Sequence, residues 1–369
     1  MQKVKLENYI EQIRGVSYKP TDLFEKLEVG SVILLRANNI FDSKVNFEDV
    51  VYVDKNKVKN NQFLRAGDIL ICTSSGSKDL VGKAAYIEND LNVTFGAFCK
   101  VIRPKGIESA FLGHFFQSQI YRHSISESCI GVNINNIRGE HIDNLEIPLP
   151  SFSEQKAIAE KLDKVSILIE KRKQQLSLLD TLVKSKFVEM FGEGNQSNFE
   201  LVPLYKVSKK IFAGGDKPKK TVAVKDNIFQ YPVYANGYEN EGLQGYSCEY
   251  KVDEYAITIS ARGTIGYCFI RAPYFTPAVR LITIVPNKEC NIIYLKCALQ
   301  NLDLKASGTS QAQLTVPLFR QERIAVPPIC LQNKFANFVK QTEKSKEKIK
   351  QSLSALELLK KSLMQKYFG

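Results

Sequence analysis

A chain of 369 residues with 44% hydrophobic positions carries enough apolar surface for two or three cores, which excludes a disordered polypeptide. Its 51 Lys and Arg against 39 Asp and Glu leave a formal charge of +12 without a basic tail. Such a balance suits a partner made of phosphate, RNA, DNA or anionic membrane, although a lysine-rich proteome would produce it too.

The first seven residues, Met1-Gln2-Lys3-Val4-Lys5-Leu6-Glu7, hold no apolar run that could act as a signal peptide. No stretch approaches the ~20 apolar residues of a membrane span, so a cytoplasmic protein is expected. Residues 1 to 150 then read as a mixed α and β block. Gly30 to Leu35, Asp68 to Thr73 and Lys100 to Ile102 are apolar, β-branched runs of strand length, and Ser109 to Tyr121 is a short helical stretch. After the central strand comes Thr73-Ser74-Ser75-Gly76-Ser77-Lys78, followed by Val81-Gly82-Lys83. Hydroxyl and glycine residues with Lys78 and Lys83 let backbone N–H groups and an ammonium approach phosphate oxygens, though an ordinary tight turn has the same composition. Later, Gly131 to Arg138 carries Asn133, Asn135 and Asn136. Each amide offers a donor and an acceptor, the geometry that reads adenine, while Arg138 suits guanine or phosphate.

From Ser153 to Phe191 there is neither Gly nor Pro, and Ile158, Leu162, Val165, Ile169, Leu176, Leu179, Val183 and Met190 step by three and four, with Arg172 and Lys186 interrupting. The spacing predicts one long helix with a coiled-coil seam in a spacer segment 151–192, capped by Ser153 and stopped by Phe191-Gly192. At 1.5 Å per residue it spans about 58 Å.

A second α and β block, 193–326, repeats the plan without repeating the sequence. Glu254 to Ser260 and Arg280 to Val285 are strand runs, and Ile292 to Asn301 is a helical stretch. Its first loop, Ser260-Ala261-Arg262-Gly263-Thr264, offers Arg262 and Thr264 to phosphate oxygens, with an ordinary tight turn again the alternative. Its second, Gly308 to Leu314, offers Ser310, Gln311 and Gln313. The final segment, 327–369, is helical again, with a seam at Phe335, Val339, Thr342, Lys346, Ile349, Leu353, Leu356, Lys360, Leu363 and Tyr367.

The two helical segments are copies of each other. Aligned without a gap, Pro150 to Gly192 and Pro327 to Gly369 match at about a third of positions, including Pro150 with Pro327, Gln155 with Gln332 and Phe191-Gly192 with Phe368-Gly369. An isolated amphipathic helix would leave its stripe wet at about 25 cal/mol per Å². Pairing between the copies is therefore expected, antiparallel about a pseudo-two-fold, with a different head at each end; packing of each helix on its own domain is the plainer alternative. A further stripe, Leu178, Leu182 and Phe187 with Ala355, Leu359 and Met364, suggests either a docking face for another chain or a broad seam.

Catalysis has no visible home. Five residues separate Gly76 from Gly82-Lys83 where a phosphate-binding loop needs four, and Ala84 lacks the hydroxyl that would hold Mg²⁺. His114, His123 and His141 have no partner spacing, and the eight cysteines form no CxxC pair, so no catalytic or metal-ligating residue is expected and the thiols read as reduced, mostly buried side chains. No Gly-rich fingerprint of a dinucleotide or S-adenosylmethionine fold is evident.

The order of a variable head, Leu149-Pro150-Ser151-Phe152-Ser153-Glu154-Gln155 opening a long helix, a second head, then Val326-Pro327-Pro328 and Gln332 opening another, resembles a type I restriction-modification specificity subunit. One departure is Leu331 where the family commonly has Glu. The resemblance implies an α+β fold with two target-recognition domains joined by two long antiparallel helices. Each head would read one half of a bipartite DNA site, with half-sites about 34 Å apart on one face of the duplex. It implies a non-catalytic chain that binds two methyltransferase subunits, which hold S-adenosylmethionine and methylate adenine, and in some assemblies restriction subunits. The rival classes are a stand-alone nucleic-acid-modifying enzyme and a basic interaction scaffold.

Overall fold

The structure, a computed structural model, describes residues 2–76, 80–128, 136–192, 197–263, 265–302, 304 and 313–369, the side chains of 127 and 128 excepted. The chain divides into two compact units, Met1–Arg172 with Ser352–Gly369, and Lys173–Gln351.

In the first unit the apolar run Ile69–Cys72 is a central strand with both faces covered, which is why it does not alternate with polar residues. It lies between strands Cys99–Pro104 and Ala84–Tyr86, with Ile10–Arg14 on the far side of Cys99–Pro104, all antiparallel. Ile69 and Ile71 face helix α1 (Ser109–Gln117) through Phe111 and Phe115. Leu70 and Cys72 face a second sheet through Leu35 and Phe95. In that sheet Val93–Phe95 runs parallel to Ser31–Leu35, followed by Val51–Asp54 and Leu23–Phe24. The helix expected over Ser109 to Tyr121 is two. The Ser118 hydroxyl donates to the Phe115 carbonyl at 2.6 Å and accepts the Tyr121 N–H at 3.1 Å, ending α1 and starting α2 (Gln119–Ser128). Helix α3 (Gly139–Asp143) precedes strand Glu146–Pro148, which closes the head by pairing with Lys3–Lys5.

Helix α4 (Phe152–Phe191) is 40 residues long. Its cap is Ser151 and not Ser153: the Ser151 carbonyl accepts the Gln155 N–H at 2.9 Å, while the Glu154 carboxylate takes the Ser151 N–H and hydroxyl at 3.0 and 2.7 Å. Those two bonds hold the Glu154 carboxyl below its ordinary range. At the far end Gly192, with φ of 78°, donates back to Val188, a left-handed stop that glycine adopts without a Cβ clash.

The second unit repeats the layers. Ala256–Ile259 is central, between Ile282–Pro286 and Cys268–Arg271, with Ser208–Ala213 outside Ile282–Pro286. Ile257 and Ile259 pack toward Tyr294 and Leu295 of α5 (Ile292–Gln300). A three-stranded sheet has Tyr231–Tyr234 between Leu243–Ser247 and Thr276–Pro277. Helix α6 (Val316–Gln321) leads to strand Arg323–Ala325, which pairs with Leu201–Pro203 as the first unit's closing strands do. Helix α7 (Ile329–Phe368) also has 40 residues.

Each unit owns half of both long helices. In the first, Ile158, Ala159 and Leu162 near the start of α4 share a core with Met364 and Phe368 near the end of α7. In the second, Phe187 and Phe191 from the end of α4 meet Phe335 from the start of α7, each at 5.5 Å between ring centres. The helices are thus antiparallel within each unit. The seam residues Leu162, Val165, Ile169, Leu176, Leu179 and Val183 of α4 are buried or half-buried, as are Val339, Ile349, Leu353, Leu356 and Leu363 of α7. Its polar interruptions are paired: Lys346 reaches Asp180 at 2.5 Å and Glu343 at 2.7 Å. Burial pulls the Lys346 ammonium down, and the two carboxylates outweigh it, leaving its pKa raised. Of the further stripe, expected as either a docking face or a broad seam, Phe187 and Met364 are buried in the two cores, because the last helical turn at each end is swallowed by a head. Leu178, Leu182 and Leu359 remain exposed.

Candidate nucleic-acid interface

In each head the hairpin around the central strand carries a loop that the chain brings against a second loop from just before the closing strand. In the first head Ser74 and Asn136 form an isolated antiparallel bridge, and the buried Ile137 donates its N–H to the Thr73 carbonyl at 2.7 Å. In the second, Arg262 and Gln313 form the same bridge, and buried Leu314 donates to the Ala261 carbonyl at 3.0 Å. Two heads of unlike sequence therefore close the same pair of loops with the same two backbone contacts. A positive-φ glycine returns the chain to the hairpin in both: Gly82 at 79° and Gly266 at 93°, donating to the Cys72 and Ser260 carbonyls.

The side chains at the bridges differ. Arg262 is exposed, and its Nε and Nη2 both donate to the Oε1 of half-buried Gln313 at 3.2 and 3.0 Å, so the amide oxygen holds the guanidinium at the bridge. In the first head Ser74 is half-buried, Asn136 is exposed, and Ser75 is half-buried next in line. Arg138 is exposed beyond the bridge, its Nη1 3.4 Å from Glu140 at the start of α3. Lys83 is half-buried where the hairpin resumes.

Thr73 does not belong to the presented surface. It is 4% exposed and its hydroxyl donates to the Phe98 carbonyl at 3.1 Å, so the side chain is consumed in holding the loop. Lys78, Asn133, Asn135, Thr264, Ser310 and Gln311 lie outside the described residues.

The supporting residues carried no sequence signal of their own. Arg122 Nη1 donates to the Val81 carbonyl at 2.7 Å and braces the first loop. Gln12 takes a hydrogen bond from Lys100 at 3.0 Å and donates to the Gly139 carbonyl and Asp143, tying α3 and therefore Arg138 to the sheet. Burial, helped by Arg14, pulls the Lys100 ammonium below its ordinary value. In the second head Asn236 does the bracing: Oδ1 accepts the Ala261 N–H at 2.7 Å and Nδ2 donates to the Val279 carbonyl at 2.6 Å. Arg271, 3% exposed, lies over the Tyr234 ring at 3.7 Å and binds the Glu241 carboxylate at 2.9 Å and the Thr258 hydroxyl at 3.0 Å. It anchors the Asn240–Glu241 turn, where both residues have positive φ.

Among the described residues there is no group of three His, Cys, Asp or Glu side chains that would hold a metal, and no helix long and apolar enough to cross a membrane. His114 sits buried in helix α1, with Nε2 2.8 Å from Asp163 of α4.

The chain matches the model of the type I restriction modification DNA specificity domain twice, over residues 3–178 and 196–358. It is 43% identical over 173 residues to the type I restriction enzyme EcoKI specificity subunit of Escherichia coli K12, covering 47% of this chain and 37% of that one. It is 42% identical over the same length to the StySPI specificity subunit of Salmonella potsdam. Each of those matches spans well under half of the curated relative's own length. The putative MjaX specificity subunit of Methanocaldococcus jannaschii is 25% identical across 98% of this chain and 91% of its own. In fold, the S subunit of a type I system from M. genitalium aligns with 100% of this chain and 96% of its own at a TM-score of 0.60 and 18% identity. With both heads and most of both helices matched, the chain belongs to the type I restriction modification DNA specificity domain family.

Proposed function

We propose that this chain is the sequence-reading, non-catalytic subunit of a type I restriction-modification complex in the cytoplasm, with each head reading one half of a bipartite double-stranded DNA site. The observation that carries this reading is the repeated closure of two polar loops by the Ser74–Asn136 and Arg262–Gln313 bridges. The backbone contacts are shared and the side chains are not, which is what two readers of different half-sites require. The positive charge supplies salt-dependent, sequence-blind affinity, and bidentate groups such as the Arg262–Gln313 pair select bases at about 1 to 3 kcal/mol per contact.

The 40-residue helices set the number of base pairs between half-sites. Two methyltransferase subunits that hold S-adenosylmethionine and methylate adenine dock on their exposed apolar positions, with restriction subunits joining where cleavage accompanies modification. Leu168, Leu358 and Leu359 in the first unit, and Leu178 and Leu182 in the second, are solvent-facing leucines available for this docking. The test is a head exchange: replacing residues 1–150 by another family head, co-expressing with the methyltransferase and mapping methylated adenines. One half of the methylated sequence should change. A change in both halves, or methylation by the purified chain alone, contradicts the reading.

A further inference from the structure

A third turn converges on the bridged loops in each head. In the first, the Cys99 N–H donates to the Gly96 carbonyl at 2.8 Å, which places Ala97 and Phe98 at the tip. In the second, the Leu281 N–H donates to Ala278 at 3.1 Å, which places Val279 and Arg280 there. These turns occupy the same place in the fold, since Cys99 pairs with Cys72 at the end of one central strand and Ile282 pairs with Ile259 at the end of the other.

Both tips are locked to the loop that forms the bridge. The Phe98 carbonyl accepts three hydrogen bonds from that loop, from the Thr73 N–H at 2.9 Å, the Ser74 N–H at 3.1 Å and the Thr73 hydroxyl. In the second head Asn236 joins the Val279 carbonyl to the Ala261 N–H. Val279 and Arg280 both have left-handed backbone, φ of 51° and 60°, a conformation that disfavours a β-branched residue. The Val279 and Arg280 N–H groups are held by Gly215 at 2.7 Å and Gly214 at 3.0 Å. A lone exposed phenylalanine needs no explanation, and neither does a lone strained turn. Here a turn at the matching place is tied to the bridge-forming loop in each head, directly in the first and through Asn236 in the second, left-handed only in the second, and in both a tip side chain faces outward: Phe98 is 69% exposed and Arg280 is exposed.

We propose that these tips are a third base-reading element of each head. Phe98 makes apolar contact with the 5-methyl group of a thymine, and Arg280 donates to N7 and O6 of a guanine, both in the major groove. This rests on the reading of the heads as DNA readers. It adds that the two half-sites differ at this position in chemical kind, one apolar and one hydrogen-bonded.

The experiment is selection of bound duplexes by the full-length chain from a library randomised across the site, using wild type, Phe98→Ala, Arg280→Ala and Arg280→Lys. Phe98→Ala should lose roughly tenfold of thymine preference at one position of one half-site. Arg280→Ala and Arg280→Lys should lose guanine preference by a similar factor at one position of the other half-site, since an ammonium lacks the planar fork. Thermal unfolding and the remaining positions should not change. Unaltered base preference in these variants, or a reduced salt slope with preference intact, overturns the assignment and leaves the DNA reading standing. A wild-type chain that selects no sequence overturns both.

Discussion

Gln332 joins the first turn of α7 to the N-cap of α5: its Oε1 accepts the Asn291 N–H at 2.8 Å, and its Nε2 donates to the Pro327 and Glu289 carbonyls at 2.8 and 3.1 Å. Gln155 does the same for α4 and α1, accepting from the Glu108 N–H and donating to Pro150, both at 2.9 Å. Both glutamines are buried. The repeated proline and glutamine of the two copies are thus a structural clamp that fixes where a long helix leaves its head. Gln332→Ala would strand buried backbone groups at about 1–3 kcal/mol each. The expected result is a destabilised second unit, seen as faster hydrogen exchange at α5, with a smaller effect of Gln155→Ala on α1. A Gln332→Ala chain with wild-type exchange would refute the clamp.

Phe368 and Phe191 occupy matching places in the repeat, and each ends a helix inside a core. Phe368 stands 5.0 Å from Phe111 and 5.8 Å from Phe115, while Phe191 stands 4.9 Å from Tyr294. Truncating either to alanine should cost about 3–5 kcal/mol. Phe368→Ala should loosen the Ile69–Cys72 sheet although it lies at the opposite end of the chain, and Phe191→Ala the Ala256–Ile259 sheet. Site-resolved hydrogen exchange on the two variants checks this; loosening of the wrong sheet would be inconsistent with the assignment of helix halves.

Arg262 and Gln313 are in direct contact, so their contributions to DNA affinity should not add. A double-mutant cycle with Arg262→Ala and Gln313→Ala, read by anisotropy at fixed salt, should give a coupling of about 0.5–3 kcal/mol. Strict additivity would mean the pair does not act as a unit on DNA.

Burial pushes the thiols of Cys99, Cys268 and Cys290 up to about 12 and that of Cys297 to about 11. Because the folded state holds these protons more tightly than the unfolded chain, whose value is near 9, their contribution to stability is complete below about pH 9 and is lost as pH rises toward 12. Unfolding temperature should therefore fall steeply above pH 9. At pH 8, mass-spectrometric thiol labelling of the native chain should modify the exposed Cys248 and Cys330 and spare those four. Rapid native labelling of Cys268 or Cys290 would show the burial to be wrong.

The duplicated segment, its apolar seam and the polar character of the loops before it were legible because each is a local pattern. A three-and-four step forces one face of a helix whatever its surroundings, and the family resemblance rested on the Pro150 and Gln155 spacing recurring at Pro327 and Gln332. What those residues do was not legible. Glutamine at a helix start carries no signal for a carbonyl forty residues away, and Ser153, expected as the cap, lies inside the helix, whose cap Ser151 stands one residue before the observed first turn.

Sequence by itself determined two unlike heads, two long seamed helices and the composition of the loops. Only the tertiary structure decided which loops meet, because the bridges at Ser74–Asn136 and Arg262–Gln313 join residues over fifty positions apart, a closure set by sheet register and not by any local propensity. It also decided that Thr73 is consumed internally and that Phe98 and Arg280 are not. A hydroxyl, a ring and a guanidinium announce what they can bind, while burial and hydrogen-bond geometry settle which of them is left to bind it.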